Sequence, residues 1–164
     1  MAETFVPGAE TAQDYRRALG CFSTGVTVVS CETEQGPIGI TANSFSSVSL
    51  DPPLVLWSVA CASARHSAFV GARHFTIHVM GSDQEDIATG FAREGDVYAD
   101  LDWHRSAEGA PVIAGCLAHF ECEREALHDA GDHTIVVGRV LRAAHRTGEP
   151  LLFALGKFGR FMGV

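Results

Sequence analysis

The sequence predicts a mainly β protein, an antiparallel barrel with a few helices outside it. Apolar and β-branched stretches about as long as a strand recur along the chain. Most of them are joined by short turns rather than by crossover helices of about a dozen residues, which argues against a parallel sheet. The chain has 164 residues, close to the usual size of one domain that buries about two thirds of its unfolded surface. One compact domain is therefore expected.

Residues 1–11 are expected to form a loose tail, and residues 12–164 the domain. The domain opens on an amphipathic helix, residues 12–22, in which Tyr15, Leu19 and Phe22 recur at helical spacing. Apolar runs separated by turn residues predict strands over residues 26–31, 38–45, 54–59 and 75–80. A short helix is predicted over residues 63–70, ended by Gly71.

The second half of the chain predicts one more helix and three strands. Ser82, with Glu85 three residues later, has the spacing of a helix cap, and that helix should run to about Ala92. The acidic and polar residues 94–109 are expected to form a long excursion. Strands are predicted over residues 114–126, 134–145 and 151–155, with a turn at residues 129–132.

Composition and charge exclude several classes of partner. Hydrophobic residues make up 46% and charged residues 20%, as in ordinary globular domains. The net charge of -8, without runs of Lys or Arg, disfavours nucleic acid and anionic lipid. No stretch reaches about 18 apolar residues, and the first residues lack the segments of a signal peptide. We therefore expect no membrane association and a cytoplasmic location.

Metal and disulfide frameworks are not expected. The five cysteines form no Cys-x-x-Cys pair, and their odd number fits a secreted disulfide framework poorly, so most should be buried apolar side chains. His74 and His78 are four residues apart, but in a strand that spacing spans about 13 Å, too far for one ion. Dinucleotide and phosphate-loop glycine motifs are absent, as is the Gly-x-Ser-x-Gly elbow of hydrolases.

The most informative segment is a polar run, residues 41–53, which reads TANSFSSVSLDPP. Burying a hydroxyl or amide without a partner costs about 1 to 3 kcal/mol, so these groups must face one another, water or a ligand. Alternation in a strand would place Thr41, Asn43 and Phe45 on one face and Ala42, Ser44 and Ser46 on the other. A flat ring with a polar edge would fit such a surface. Hydrogen bonds from the hydroxyls to nearby main chain explain the composition equally well.

Two further segments are candidates for binding. Residues 63–67, Ser-Ala-Arg-His-Ser, lie at a predicted helix start, where N–H groups and the helix dipole favour a phosphate. By spacing alone, a plain cap by Ser63 with solvated Arg65 is the more frequent outcome. Gly131, Asp132 and His133 end a predicted hairpin turn, where His133 is either part of a binding surface or merely exposed.

Four segments together resemble the short-chain flavin reductases, the reductase partners of two-component flavin monooxygenases. They are residues 22–29 (FSTGVTVV), 41–45 (TANSF), 47–54 (SVSLDPPL) and 131–134 (GDHT), in the order and at the separations of that family. The resemblance extends from about Tyr15 to Phe161. It implies a split β-barrel related to FMN-binding proteins, assembled as a homodimer with flavin near the subunit interface. The implied activity is reduction of free FAD or FMN by NADH or NADPH, with reduced flavin passing to a separate monooxygenase component.

The resemblance also implies the site residues. Those expected along or near the isoalloxazine ring are Thr41, Ala42, Asn43, Ser44, Ser58, Val59 and Ala60. Those expected near the ribityl phosphate are Ser63, Arg65 and Ser67. The remaining members of the expected flavin-binding set are Thr24, Phe91, Ala92 and Phe158. His133 matches the histidine that approaches the nicotinamide.

Three positions depart from the family pattern. Ser23 stands where Pro is common, His78 where Asn is frequent and Phe158 where Tyr is frequent. The last two could alter the preference for nucleotide or flavin. None removes a group that the chemistry requires, because hydride passes directly from nicotinamide C4 to flavin N5 and the protein's task is to stack the two rings. His133 is expected to position the nicotinamide rather than to donate a proton.

Two other functions compete with this interpretation. A non-catalytic, FMN-binding electron carrier on the same barrel would lack a nicotinamide site, so His133 and its Gly-Asp lead-in distinguish the two. A pyridoxine-phosphate-type oxidase would need a cluster of basic residues, and the 12 Lys and Arg are scattered. The acidic balance also gives a weak preference for NADH over NADPH.

Overall fold

The computed structural model describes residues 4–163, and within them the protein is mainly antiparallel β. The strands are β1 (Thr24–Gly25), β2 (Thr27–Thr33), β3 (Gly36–Ala42), β4 (Ser46–Leu50), β5 (Pro53–Ala60), β6 (His74–Val79), β7 (Trp103–Arg105), β8 (Pro111–Ile113), β9 (Ala118–Ala130), β10 (His133–His145), β11 (Leu151–Ala154) and β12 (Lys157–Arg160). The α-helices are α1 (Ala12–Gly20), α2 (His66–Gly71) and α3 (Glu85–Arg93). A single 3-10 turn, Ala9–Thr11, precedes α1.

A seven-stranded sheet forms the body of the molecule. Its strand order is β3-β2-β6-β9-β10-β5-β4, and every recorded pairing in it is antiparallel. A smaller sheet of order β1-β11-β12 and a β7-β8 ribbon complete the strands in residues 4–163. Short turns make this topology possible; Gly131, for example, adopts φ +67 between β9 and β10, a conformation that costs glycine little.

The apolar core has two parts. One surrounds Trp57, which packs edge-on against Phe69 with ring centroids 5.2 Å apart and also contacts Phe75. The other contains Phe91, whose ring lies 5.0 Å from that of Tyr98. Burial alternates along β5 and the first half of β10, so side chains on one face of each strand pack into the core and those on the other face remain partly exposed.

Most elements predicted from the sequence are confirmed. The opening helix begins at residue 12 and ends two residues earlier than expected, and strands occupy each segment where one was predicted. The excursion of residues 94–109 exists but contributes β7, which pairs with β8. Of the predicted tail, residues 1–3 lie outside the described part of the chain, and Thr11 Oγ1 donates a hydrogen bond to the Val6 carbonyl 2.8 Å away.

Two helix starts were predicted wrongly. The helix expected at Ser63 begins at His66, because Ser63 belongs to a turn in which its carbonyl accepts the His66 N–H at 3.0 Å. The helix expected to be capped by Ser82 begins at Glu85, since the Ser82 N–H donates instead to the Glu149 carbonyl at 2.9 Å. A local turn therefore delays the first helix, whereas a contact with a distant segment delays the second.

Strand boundaries differ at three places. The strand predicted over residues 38–45 ends at Ala42, so the expected alternation of side chains does not continue through Asn43 to Ser46. β4 follows and pairs with β5, although its residues were not predicted as a strand. The strand predicted over residues 114–126 is displaced to Ala118–Ala130, because residues before it form a turn in which the Leu117 N–H donates to the Val79 carbonyl.

Residues 4–163 contain no disulfide, metal-binding cluster or membrane-spanning helix. Cys31, Cys116 and Cys122 are buried, Cys21 and Cys61 are exposed, and all five are free. Residues 4–163 contain no group of three or more His, Cys, Asp or Glu arranged to hold a metal ion. No helix in this described range is long and apolar enough to cross a membrane.

Candidate active site

A groove gathers five of the residues expected to bind flavin. We call it the ring groove; its volume is about 210 Å³ and it is lined by Val26, Thr41, Ala42, Asn43, Ala92, Phe153 and Phe158. These residues come from the end of β3, the end of α3 and the β11–β12 hairpin, which are distant in sequence. The mixed walls, with aromatic rings on one side and small polar residues on another, suit a flat ring with a polar edge.

The aromatic wall comes from the β11–β12 hairpin. Phe153 and Phe158 face each other across the two strands, and their rings lie 5.7 Å apart in an edge-to-face arrangement. Phe153 also pairs with Thr24 on β1. The Thr24 hydroxyl is buried and has no hydrogen-bond partner within residues 4–163. A buried hydroxyl in this state costs free energy that a ligand atom could recover.

Two hydroxyls of the polar run are already used by the protein. Thr41 Oγ1 donates a hydrogen bond to the Ala88 carbonyl of α3, 2.6 Å away. Ser44 Oγ donates to the Ser58 carbonyl at 3.1 Å and accepts the Ser58 N–H at 2.9 Å. These contacts fix the polar run against α3 and β5. Asn43 is exposed, and its side-chain amide makes no hydrogen bond to the described residues.

A second group of expected residues meets at the start of β10. We call it the His133 edge; it consists of residues 58–60 of β5 and residues 131–134. His133 pairs directly with Ala60, and Thr134 pairs with Val59. Because Ser44 is bonded to Ser58, this edge is joined to the polar run that borders the ring groove.

His133 is held by its neighbour in the chain. Its Nδ1 lies 2.7 Å from Asp132 Oδ1, and this hydrogen bond lowers the pKa of the Asp132 carboxyl. The contact orients the imidazole, with Nε2 on the side away from the carboxylate. Thr134 Oγ1 lies 2.9 Å from Nε2 of His66, so α2 is also fixed to this edge.

Arg65 connects three segments around the ring groove. Its Nη1 donates to the carbonyls of Gly39 at 2.9 Å, Phe91 at 2.7 Å and Glu94 at 3.3 Å. Partial burial lowers the pKa of the guanidinium. The last two carbonyls lie at the end of α3, where a cation is favoured by the helix dipole. Ser63 Oγ accepts the Arg65 N–H at 3.2 Å rather than capping a helix.

Three expected residues occupy positions that limit what they can do. The Val59 and Phe91 side chains are in the core, 1% and 0% exposed, so only their backbone is available to a ligand. Ser67 is exposed in α2, which has only six residues. Val26 and Phe153 line the ring groove but were not among the residues predicted from the sequence. The uninterrupted apolar run of residues 151–155, followed by Gly156, was the signal that could have indicated Phe153.

His78, one of the departures from the family pattern, is structural. It is fully buried, its Nδ1–H donates to the Val28 carbonyl at 2.9 Å, and its Nε2 accepts the Ile113 N–H at 3.0 Å. Burial lowers the pKa of His78 to about 3, so the ring is neutral. Its partners are both backbone groups in the core, outside the ring groove.

Comparisons with known proteins agree on one family. The family model described as flavin reductase like domain matches residues 19–162. The FMN reductase (NADH) SmoA of Agrobacterium fabrum is 62% identical over 157 residues, covering 96% of this chain and 90% of that protein. The reductase component of a flavin-dependent trigonelline monooxygenase from Acinetobacter baylyi is 45% identical, covering 78% of this chain and 42% of the longer relative.

A solved structure shares the whole fold. The NADH:FAD oxidoreductase SgcE6 of Streptomyces globisporus superposes with a TM-score of 0.91 at 39% identity, covering 100% of this chain and 95% of that one. A second structure of SgcE6, in complex with NAD and FAD fragments, has a TM-score of 0.86 at 40% identity, covering 97% of this chain and 98% of the other.

Proposed function

Because this chain belongs to the flavin reductase-like family, we propose that the ring groove and the His133 edge serve one reaction, hydride transfer from a nicotinamide nucleotide to flavin. The protein is an NADH-dependent flavin reductase that supplies reduced flavin to a monooxygenase component. The observation that carries this conclusion is the 62% identity to an NADH-dependent FMN reductase over 96% of the chain.

The ring groove is proposed to hold the isoalloxazine of FMN or FAD. Phe153 and Phe158 supply apolar contact, and the unpaired Thr24 hydroxyl would gain a partner in a flavin heteroatom. The free amide of Asn43 and nearby backbone N–H groups would face the pyrimidine edge, where they stabilise the negative charge of reduced flavin. Thr41 and Ser44 would contribute indirectly, because their hydroxyls bond to protein carbonyls and hold the polar run in place.

The phosphate of the flavin is proposed to lie near Ser63, Arg65 and Ser67. A guanidinium has five N–H groups, and within residues 4–163 only those on Nη1 of Arg65 are used by protein carbonyls. Nε and Nη2 are therefore available for a phosphate. Arg65 would then link the flavin to the end of α3, which also provides Ala92 to the ring groove.

His133 is proposed to position the nicotinamide beside the flavin. When bound, flavin supplies the chemistry by accepting the hydride at N5, so no protein acid or base is required for that transfer. The chain contributes orientation: Asp132 contacts the imidazole, and Ala60 on β5 pairs directly with His133. Holding two reactants in the right geometry supplies much of the acceleration in such reactions.

We further propose that the large sheet is the wall of a split barrel and that the domain extends from residue 12 to residue 164. The sheet's edges are β3 and β4, yet β3 also approaches β5, and Ser44 bonds to Ser58 across that gap. These contacts support a sheet that curls back on itself. Free cysteines support a reducing compartment, so we propose a cytoplasmic location.

A homodimer is proposed because two apolar surfaces are left uncovered by the described residues, 4–163. No residue of α1 is buried; Tyr15 and Leu19, one turn apart on α1, are 46% and 56% exposed, and Phe22, just after the helix, is 78% exposed. Leu50, 96% exposed, borders an apolar groove that also contains Phe45 and Phe120. Apolar faces of this kind mark association surfaces.

Oxidation of NADH in the presence of flavin tests the proposed reaction. The purified protein should consume NADH, followed at the nicotinamide absorbance band, only when FMN or FAD is added, and more slowly with NADPH. An FMN-binding electron carrier would bind flavin without this turnover. Absence of oxidation with both nucleotides and both flavins would refute the proposed function.

A further inference from the structure

A second groove lies beside α1 and has no role in the site described above. We call it the arginine groove; its volume is about 340 Å³ and it is lined by Gln13, Arg16, Arg17, Gly20, Leu155 and Gly156. Two of the chain's 12 basic residues therefore face one depression in a protein with a net charge of -8. A local concentration of positive charge in an acidic chain favours an anionic ligand.

The β11–β12 hairpin separates the arginine groove from the ring groove. Leu155 and Gly156, at the hairpin turn, line the arginine groove, while Phe153 and Phe158, two residues away on either side, line the ring groove. Two residues of a strand span about 7 Å. The Leu155 N–H donates to the Gly20 carbonyl at 2.8 Å, which fixes α1 to the hairpin. One ligand of dinucleotide length could therefore reach both grooves.

The charges of the arginine groove are available to a ligand. Arg16 makes no ion pair within residues 4–163. Arg17 contacts Asp14 at 3.1 Å, but both side chains are mostly exposed, and such pairs contribute little. Arg16 is also close enough to Asp132 to contribute to the lowered pKa of that carboxyl, which places the groove on the same side of the molecule as His133.

Leu155 gives the arginine groove an apolar platform. Its side chain is 69% exposed, and its φ of 52 lies in the left-handed region that branched residues rarely adopt. Backbone conformations of this kind are unfavourable and recur at ligand sites. An exposed apolar side chain next to two guanidinium groups offers the contacts that a purine base attached to a diphosphate would use.

We propose that the arginine groove binds the ADP half of the nicotinamide dinucleotide, with Arg16 and Arg17 at the diphosphate and Leu155 against the adenine. This inference rests on the proposed function, since it assumes that the nicotinamide half reaches the His133 edge. It adds a binding site for the part of the nucleotide that does not react, and this site would govern KM rather than the hydride-transfer step.

The test compares two hydride donors that differ only in this half. NADH and reduced nicotinamide mononucleotide carry the same nicotinamide, but the mononucleotide lacks the AMP portion. In the double variant Arg16→Gln, Arg17→Gln, with FMN saturating, KM for NADH should rise about tenfold and kcat should stay unchanged, while KM for the mononucleotide should change less than about twofold. Arg73→Gln, which removes an exposed charge on another surface, is the matched control and should leave both KM values unchanged.

Each other pattern would overturn the inference. Equal rises in KM for both donors would place the arginines at the nicotinamide half or in the fold, and an unchanged KM for NADH would remove them from binding. A rise in KM for FAD without one for NADH would assign the groove to the flavin's adenylate. The thermal midpoint of the double variant should match the wild type, which excludes misfolding as the cause.

Titration of ADP into the wild-type protein keeps this inference separate from the proposed function. ADP has no nicotinamide, so its binding does not depend on turnover. The wild type and Arg73→Gln should bind ADP with the same affinity, and the double variant should bind it about tenfold more weakly. Equal ADP affinity in all three proteins would overturn the inference, even in an active reductase. Failure of NADH oxidation with intact ADP binding would instead count against the proposed function.

Discussion

At the level of single residues, His133 is the side chain that we propose positions the nicotinamide. The imidazole is oriented by Asp132 at 2.7 Å and lies beside Ala60 of β5. Neither contact is needed to hold the fold, because Asp132 is almost fully exposed and the backbone pairing of β10 does not require the imidazole. A residue placed in this way can be removed with little damage to the remaining structure.

Replacing His133 with Ala should raise KM for NADH far more than KM for flavin. KM for NADH should increase about tenfold or more, because one oriented polar contact to the nicotinamide is lost. KM for FMN should increase less than about twofold. Steady-state kinetics with each substrate varied in turn measures the two constants. His145→Ala, an exposed histidine at the other end of β10, is the control. Equal changes in both constants would remove the assigned role.

His78, which stands where the family frequently has Asn, contributes to the stability of the fold. Its neutral ring joins β2 and β8 through two backbone hydrogen bonds, to Val28 and Ile113. The pKa of His78 in the folded protein is about 3, against about 6.5 in the unfolded chain. Between these values the unfolded chain binds a proton that the folded protein does not, so stability falls as the pH decreases below about 6.5.

Acidification from pH 7 to pH 5 should therefore lower the free energy of unfolding by about 2 kcal/mol through His78. Denaturant unfolding at several pH values measures this dependence. His78→Asn keeps a donor and an acceptor but cannot titrate, so its curve should be flatter by that amount, whatever its absolute stability. Parallel curves for the two proteins would show that His78 is not the titrating group.

At the level of elements, Arg65 determines how α3 and β3 enclose the ring groove. Its Nη1 reaches carbonyls of β3, of α3 and of the segment after α3. Gly39 must also stay small, since a Cβ there would lie 2.5 Å from the ring of Phe91. Close packing of β3 on α3 and the guanidinium contacts together set the position of Ala92 in the groove.

Arg65→Met should lower the free energy of unfolding by about 2 kcal/mol, because the carbonyls at the end of α3 lose a charged donor. Arg139→Met, which breaks an exposed pair with Glu125, should have a much smaller effect. Denaturant titration of both variants measures the difference. If Arg65 also contacts the flavin phosphate, its replacement should raise KM for FMN more than KM for riboflavin. Equal stability of the two variants would contradict the structural role.

At the level of the whole molecule, the exposed apolar surfaces of α1 and β4 are the basis of the proposed homodimer. α1 turns Gln13, Arg16 and Gly20 toward the β11–β12 turn of its own chain and leaves Tyr15 and Leu19 exposed. The helix is therefore amphipathic with its apolar side outward. A second copy of the chain is the proposed cover, and the arginine groove would remain accessible on the other side of α1.

The double variant Leu19→Asp, Leu50→Asp should shift the protein from dimer to monomer. A charge in an apolar interface must be desolvated without a partner, which strongly opposes association. Sedimentation velocity over a range of protein concentrations measures the oligomeric state. Val6→Asp changes an exposed apolar residue outside both surfaces and should leave the dimer intact. A wild-type protein that sediments as a monomer would refute the homodimer.

Several features of this protein are determined by the sequence itself. Alternating apolar residues specify the strands, since side chains of a strand alternate between faces whatever it pairs with. Gly131 and its neighbours identify the turn between β9 and β10, and the order and spacing of the four family segments indicate the reaction that the relatives support. These signals are either local patterns or family motifs, and both can be interpreted without knowing the tertiary contacts.

Other features were decided only by the tertiary structure. Arg65 donates to carbonyls 26 and 29 residues away, Thr41 bonds to Ala88, and the helix expected after Ser82 begins at Glu85 because the Ser82 N–H bonds to Glu149. Val26 and Phe153 became walls of the ring groove, and Arg16 came to face Leu155, through packing of distant segments. A polar side chain has many partners of similar energy, and the packing of segments far apart in the chain selects among them. Short-range sequence patterns therefore do not specify which partner a polar side chain has in the folded protein.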